Sequence, residues 1–285
     1  MVSSTSEEYK STKKILSDAK VCTVCEEARC PNIGECWHNQ TATFMLLGDV
    51  CTRHCKFCAV KHGTPTTSSL GFEVEGNNLL EVIKQLRLKY VVLTSVTRDD
   101  YEDGGASVFA HAIASIKSLK KDNLKVEVLT PDFRAKEQSI MQFMREECMP
   151  DVFAHNIETV RSLTPVVRDA VRSSYDISIK LLKIFKRIAN ENALKCYTKS
   201  GLMLGLGESE QEVLQLFCDL REAEVDFLTI GQYLSPDKEK YYPVKEYISE
   251  EKFAYLKEKA LNFSFKSVVA GPLVRSSYLA HKVLE

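Results

Sequence analysis

Three cysteines, Cys51, Cys55 and Cys58, stand between Asp49 and Val60 with three and then two residues between them. Three thiolates can hold three irons of a cubane [4Fe–4S] cluster and leave the fourth iron without a protein ligand. An iron left open in this way is a place for chemistry, as in catalytic metal sites that keep one position free. Phe57 would lay a flat apolar face beside that iron. The same stretch admits a structural zinc with His54 or His62 as fourth ligand, although such sites are usually built from paired C-x2-C units.

A second set, Cys25, Cys30 and Cys36, has the spacing C-x4-C-x5-C. Pro31, Asn32 and Gly34 are turn residues that would let this loop wrap around something compact. Two three-thiolate sets so close together point to two metal or cluster sites. Cys22 forms a zinc-like pair with Cys25, but we read it as a small apolar residue leading into the loop. Cys148, Cys196 and Cys218 read as structural: Cys148 continues a four-residue stripe from Ile140 and Met144, and Cys218 follows Leu214 in the same way. His111 and His281 form no ligand pattern.

The elements that must carry these loops fit one α/β barrel, for which 285 residues is an ordinary length. Hydrophobic residues at 44% and charged residues at 27% are globular in composition. A net charge of −1 leaves no basic footprint for nucleic acid. Six of the ten cysteines fall between positions 25 and 58, unlike a secreted disulfide scaffold. Residues 1–20 have no apolar core and no arginine, so neither a secretory signal nor a mitochondrial presequence is expected, and no run of about 18 apolar residues spans a membrane. A reducing, cytoplasmic location is expected.

From Thr41 onward, apolar β-rich runs at 43–47, 90–94, 124–129, 151–153, 201–204 and 227–230 alternate with helical periodicity at about 78–88, 106–120, 135–148, 157–164, 176–193 and 209–224. Strand-then-helix repetition argues for a parallel sheet. We expect an α/β fold: a partial (β/α)6 TIM-type barrel over 41–262, an N-terminal cluster-binding extension over 1–40, and a C-terminal segment over 263–285. Polar or glycine-rich clusters follow every strand: Gly48 and Asp49; Ser95, Thr97 and Asp99; Thr130 and Asp132; His155, Asn156 and Glu158; Gly205, Gly207 and Glu208; Gln232 and Tyr233. In parallel barrels that end is where sites are built, which favours an enzyme.

The C-x3-C-x2-C pattern with its aromatic resembles the signature of the radical S-adenosylmethionine (SAM) enzymes. Such a cluster would take the amino and carboxylate groups of SAM at its open iron. Backbone near Gly205 would approach the ligand closely, Asn156 and Glu158 could reach a ribose, and Gln232 is a further candidate contact. A tight strand-to-helix turn explains the glycines equally well.

With both cysteine sets, the chain from about Thr23 onward resembles the lipoyl synthase family. The resemblance rests on Thr23–Trp37 and on Thr41–Met45, Thr94–Asp100, Leu129–Phe133, His155–Thr159, Lys199–Met203, Leu228–Tyr233 and Gly271–Tyr278. It implies two [4Fe–4S] clusters with SAM as cofactor. Cys25, Cys30 and Cys36 would hold the auxiliary cluster with a serine of Arg275-Ser276-Ser277-Tyr278, for which we choose Ser277 with Ser276 as fallback. Val171-Arg-Ser-Ser-Tyr175 repeats the same five letters as Val274–Tyr278, and we read that copy as structural. The implied reaction inserts two sulfur atoms at C6 and C8 of a protein-bound N6-octanoyl-lysine. The implied partners are an octanoylated lipoyl carrier, such as glycine cleavage H protein or a 2-oxoacid dehydrogenase E2 domain, and a ferredoxin or flavodoxin reductant; no nucleic acid and no membrane are implied. The short amino terminus, Cys22, Ala135 and Ala154 depart from the family pattern without touching a proposed ligand. Two alternatives are a biotin synthase-like sulfur-inserting enzyme, which is not expected to carry the first cysteine set, and a zinc-stabilised binding protein without catalysis.

Overall fold

The computed structural model describes residues 7–19, 21, 23–27, 30, 32–65, 72–121, 123–278 and 280. Cys22, Pro31 and His281 lie outside the described residues. Seven strands form one sheet: Thr41–Leu46 (β1), Tyr90–Ser95 (β2), Lys125–Leu129 (β3), Val152–Ala154 (β4), Tyr197–Leu204 (β5), Phe227–Gln232 (β6) and Ser267–Gly271 (β7). Their order in the sheet is their order in the chain, and every neighbouring pair is parallel. Among the described residues β1 and β7 do not pair, so the barrel is partial. Parallel strands are covered on both faces and therefore read as near-continuous apolar runs; β6 is buried at all six positions.

The two faces of the sheet are chemically different. Val91 and Leu93 point outward into the main core, where Leu181, Phe185, Leu216 and Phe217 of the helices pack. Tyr90 and Val92, on the alternate face, instead pack against Ala280 of the C-terminal segment. Deeper on this inner side, Tyr90 donates to Glu127 (2.8 Å), and Lys199 pairs with the same carboxylate at 2.9 Å. All three side chains are buried, and removing one member of such a pair leaves an uncompensated charge costing about 3–5 kcal/mol.

The helices are Glu7–Asp18 (α1), Val24–Glu27 (α2), Ile33–His38 (α3), Phe72–Gln85 (α4), Ala106–Lys117 (α5), Glu137–Ile140 (α6), Thr164–Val167 (α7), Tyr175–Glu191 (α8), Glu210–Glu222 (α9) and Glu250–Asn262 (α10). The two longer helices after β4 and β5 start where side chains satisfy their free amides: Ser174 accepts from Ile177 N at α8, and Ser209 with Glu212 forms a capping box at α9. Near the amino terminus, α1 buries Leu16 and stacks Tyr9 on Trp37 with ring centroids 5.0 Å apart.

Three sequence expectations need correction. The sheet gains a seventh strand, β7, fed by α10. The helix expected over 135–148 is a string of short turns, Phe133–Ala135, α6, Met141–Phe143 and Glu146–Cys148, broken where Phe133, Arg134 and Ala135 take positive φ. Cys148 is buried within this string rather than on a helical stripe. The helix expected over 157–164 is absent, because Glu158 has φ +69° and bridges to Leu202; helix begins only at α7, where Pro165 occupies the first turn.

Candidate functional site

The loop carrying Cys51, Cys55 and Cys58 leaves the carboxyl end of β1 and is tied down from several sides. Cys51 N donates to Lys61 O (2.8 Å), and Gly63 N returns a bond to Cys51 O (2.9 Å). Thr52 N donates to Thr97 O after β2 (3.0 Å), and Lys56 N to Val167 O of α7 (2.8 Å). The Asp169 carboxylate accepts from His54 N (2.9 Å) and from the amides of Val171 and Arg172. Those bonds hold the Asp169 carboxyl below its ordinary range despite its burial. Phe57 packs against Val167, Leu206 and Tyr233, which fixes the turn before Cys58.

A cavity of about 300 Å³ opens over this loop, with Cys51, Cys55, Cys58 and Phe57 in one wall. Asn156 and Glu158, after β4, form another part of the wall, and Ser276 and Ser277 a third. The inner face of the barrel contributes Thr43, Met45 and Thr94. The structure therefore gathers the three cysteines, Phe57, Asn156 and Glu158 with the serine pair, and with Ser95, Thr97, Thr130, Asp132 and His155 from the ends of β2, β3 and β4.

Gly205 and Gln232 are placed elsewhere. The Gln232 amide donates to the carbonyls of Leu204 (3.2 Å), Tyr233 (3.0 Å) and Glu246 (3.0 Å) and accepts from Ile248 N (2.9 Å). Its capacity is spent on tying β6 to the chain that leads into α10. Gly205 turns with φ +90° beside that amide, and its N–H donates to Glu208 (2.6 Å). Neither residue lines the cavity.

Sequence reasoning missed three wall residues. Arg168 is 6% exposed and donates one Nη to Ser178 Oγ (2.9 Å), while its Nε finds no partner. Ser173 Oγ and Asn156 Oδ1 are likewise buried without a protein partner. Buried polar atoms are nearly always bonded, so three orphans around one cavity mark a polar ligand. The third missed residue is Arg53, buried between Asp99 and Asp132. A charged loop residue reads as surface from sequence, and only its place inside the cysteine motif could have flagged it.

The second cysteine set meets the C-terminal segment. Asn32 Nδ2 donates to Leu273 O (2.7 Å), Tyr278 OH bonds the Glu35 carboxylate (3.2 Å), and the Arg275 guanidinium faces Cys30. Gly231 makes room for this segment, since a Cβ there would run into the Val274 carbonyl. Val24, beside Cys25, lines the same cavity as Ser276 and Ser277. The look-alike Val171–Tyr175 does different work: Ser174 caps α8, and Tyr175 OH donates to Asp219 (2.8 Å).

Burial pushes the Cys58 thiol up to about 12 and the Cys25 thiol up to about 11, and it raises Cys30 and Cys55 in the same direction. A buried thiolate needs a cationic partner, and bound iron supplies one. Among the described residues, no three His, Cys, Asp or Glu side chains converge on a point suited to one metal ion. A cubane spreads its thiolates over separate corners and asks for no such point. Donor type, orphan polar atoms and cavity thus fit an iron–sulfur cluster with a polar organic ligand. All nine described cysteines are free thiols.

His155 lines the cavity with only 4% of its surface exposed, bonded to Thr130 O and Ser178 Oγ at 2.8 Å each. Burial, helped by Arg168, lowers its pKa to about 4, so it is neutral, with Nδ1–H donating to the carbonyl. The unfolded chain would protonate this residue near 6.5, so its contribution is complete above that pH and lost as pH falls toward 4. The loss is on the order of 3 kcal/mol. Urea midpoints at pH 7, 5.5 and 4.5 should show this fall in wild type and a flatter profile in His155→Gln.

The family model of the radical SAM superfamily matches residues 45–220. A lipoyl synthase of Caldicellulosiruptor saccharolyticus is 50% identical over 272 residues, covering 94% of this chain and 90% of that protein. One from Pyrobaculum calidifontis is 51% identical over 267 residues, covering 93% and 87%. Among solved structures, SuiB of Streptococcus suis bound to S-adenosylmethionine superposes with a TM-score of 0.56 at 13% identity over 84% of this chain; the chain spans 52% of that one. Methylornithine synthase superposes with a TM-score of 0.54 at 14% identity, covering 93% and 78%. These two show the fold alone. No described helix is long and apolar enough to cross a membrane.

Proposed function

Since the chain belongs to the lipoyl synthase family of the radical SAM superfamily, we propose that its two cysteine sets hold two [4Fe–4S] clusters with separate duties in one reaction. The reaction is the radical SAM-dependent insertion of two sulfur atoms at C6 and C8 of a protein-bound octanoyl-lysine, and iron–sulfur clusters and SAM are its cofactors. When bound, the clusters supply, respectively, the electron that cleaves SAM to a hydrogen-abstracting radical and the sulfur that is inserted.

Cys51, Cys55 and Cys58 are the ligands of the first cluster, and Phe57 packs beside it. Asn156 and Glu158 take the SAM ribose hydroxyls. Burial raises the Glu158 carboxyl, while Arg168 and a bond from Asn156 oppose that shift. The orphaned Arg168 Nε and Ser173 Oγ hold the ligand's anionic end. Gly205 and Gln232 act from behind, fixing the ends of β5 and β6. Cys25, Cys30, Cys36 and Ser277 hold the auxiliary cluster, brought onto the barrel by segment 1–40 and by the chain that follows β7. His155 stays neutral and takes no part in proton transfer. The cavity wall that Cys51, Cys55, Cys58, Phe57, Asn156, Glu158 and the Ser276–Ser277 pair share shields the reacting carbon from water.

The observation that carries this reading is the single cavity in which the Cys51–Cys58 loop faces Ser276 and Ser277. The carrier domain, the ferredoxin or flavodoxin reductant and the cytoplasmic location complete the proposal. Anaerobic reconstitution followed by iron and sulfide analysis tests it. About eight of each per chain are expected for two cubanes, whereas a colourless protein holding two zincs would end the reading.

A further inference from the structure

Arg53 stands between Cys51 and Cys55 and is used by nothing in the reaction outlined above. Its guanidinium makes two forks at once: Nε and Nη2 reach Asp99 at 2.8 Å each, and Nη1 and Nη2 reach Asp132 at 2.5 and 2.8 Å. The side chains are 4%, 9% and 0% exposed for Arg53, Asp99 and Asp132. Asp99 follows β2 and Asp132 follows β3, so one side chain of the loop after β1 grips the ends of the next two strands. Thr52 adds to the grip, accepting from Asp99 N (3.0 Å) and donating to Thr97 O (3.0 Å). The backbone N–H of Arg53 also points at Cys51 Sγ (3.4 Å).

Stability alone is a poor reason for this arrangement. Taking three charges out of water costs nearly as much as their attraction returns, and apolar replacements of buried ion clusters are often neutral or better. What a double fork supplies is direction, because a planar guanidinium with five fixed donors admits few orientations. We infer that Arg53 is a positioning residue whose double fork sets where Cys51 and Cys55 present their thiols, preorganising the three-thiolate site before iron binds. The inference rests on reading Cys51, Cys55 and Cys58 as cluster ligands.

Arg53→Lys keeps the charge but cannot span two carboxylates, and Asp132→Asn removes half of one fork while keeping shape. Groups that orient metal ligands typically change affinity about 10–100-fold when lost. Anaerobic reconstitution of the full chain with limiting iron and sulfide, followed by EPR of the reduced protein with and without SAM, reads the effect apart from turnover. The SAM-induced change in the spectrum reports the cluster with an open iron. Arg53→Lys is expected to lower the SAM-responsive signal per chain roughly tenfold and to alter its line shape, with Asp132→Asn intermediate. A merely structural role would lower the melting temperature but leave a wild-type spectrum on the folded protein, and that result overturns the inference. Should Arg53→Lys not fold, Asp132→Asn decides, and an unchanged SAM-responsive signal there also overturns it. A wild-type protein with no SAM-responsive signal would instead remove the underlying assignment of the three cysteines.

Discussion

Cys58→Ala is expected to abolish SAM cleavage and sulfur insertion together. The octanoyl carbons carry unactivated C–H bonds, for which no side-chain acid or base on this chain offers a route. Losing one of three thiolates removes the only device that could break them. Both 5′-deoxyadenosine and lipoyl product should fall about 10³-fold or more, since the barrier loses a chemical mechanism rather than one stabilising contact. The substitution is small and the position half-buried, so far-UV circular dichroism should match wild type. Formation of 5′-deoxyadenosine at a wild-type rate would show that the radical arises elsewhere.

Ser277→Ala separates the two duties. It should leave SAM cleavage near the wild-type rate while sulfur transfer to an octanoylated peptide is lost, read by mass spectrometry as the absence of the two-sulfur gain. Ser174→Ala is the control, because the same letters surround it. There the hydroxyl accepts from Ile177 N at the start of α8, and its loss should cost about 1 kcal/mol of stability with no change in chemistry. If Ser174→Ala abolished sulfur transfer instead, the assignment between the two repeats would be reversed. The structure favours the C-terminal copy, since Leu273, Arg275 and Tyr278 all meet the 30–36 segment.

The six expected strands were legible because buried parallel strands have nothing but apolar residues to show. The seventh was hidden for the opposite reason: Ser267–Gly271 has one buried residue among five, so its sequence carries little pattern. The false helix over 135–148 came from the even spacing of Ile140, Met144 and Cys148, of which Ile140 and Cys148 are buried by separate turns while Met144 is half-buried between turns. The place of Asn156 and Glu158 in the cavity wall could be read because polar residues after a buried parallel strand fall at the end where sites are built. Gln232 looked the same, yet its amide faces backbone carbonyls rather than the cavity, and sequence does not say which way a side chain points. Arg53 and Arg168 escaped because a buried arginine is legible only through its partners, and theirs lie 46 to 79 positions away for Arg53 and beyond a turn for Arg168.

The contact between the 30–36 segment and residues 273–278 joins positions 241 and 243 apart in the chain. Removing residues 273–278 would strip the 30–36 segment of its Leu273 and Tyr278 partners, so the two ends of the chain depend on one another at this point.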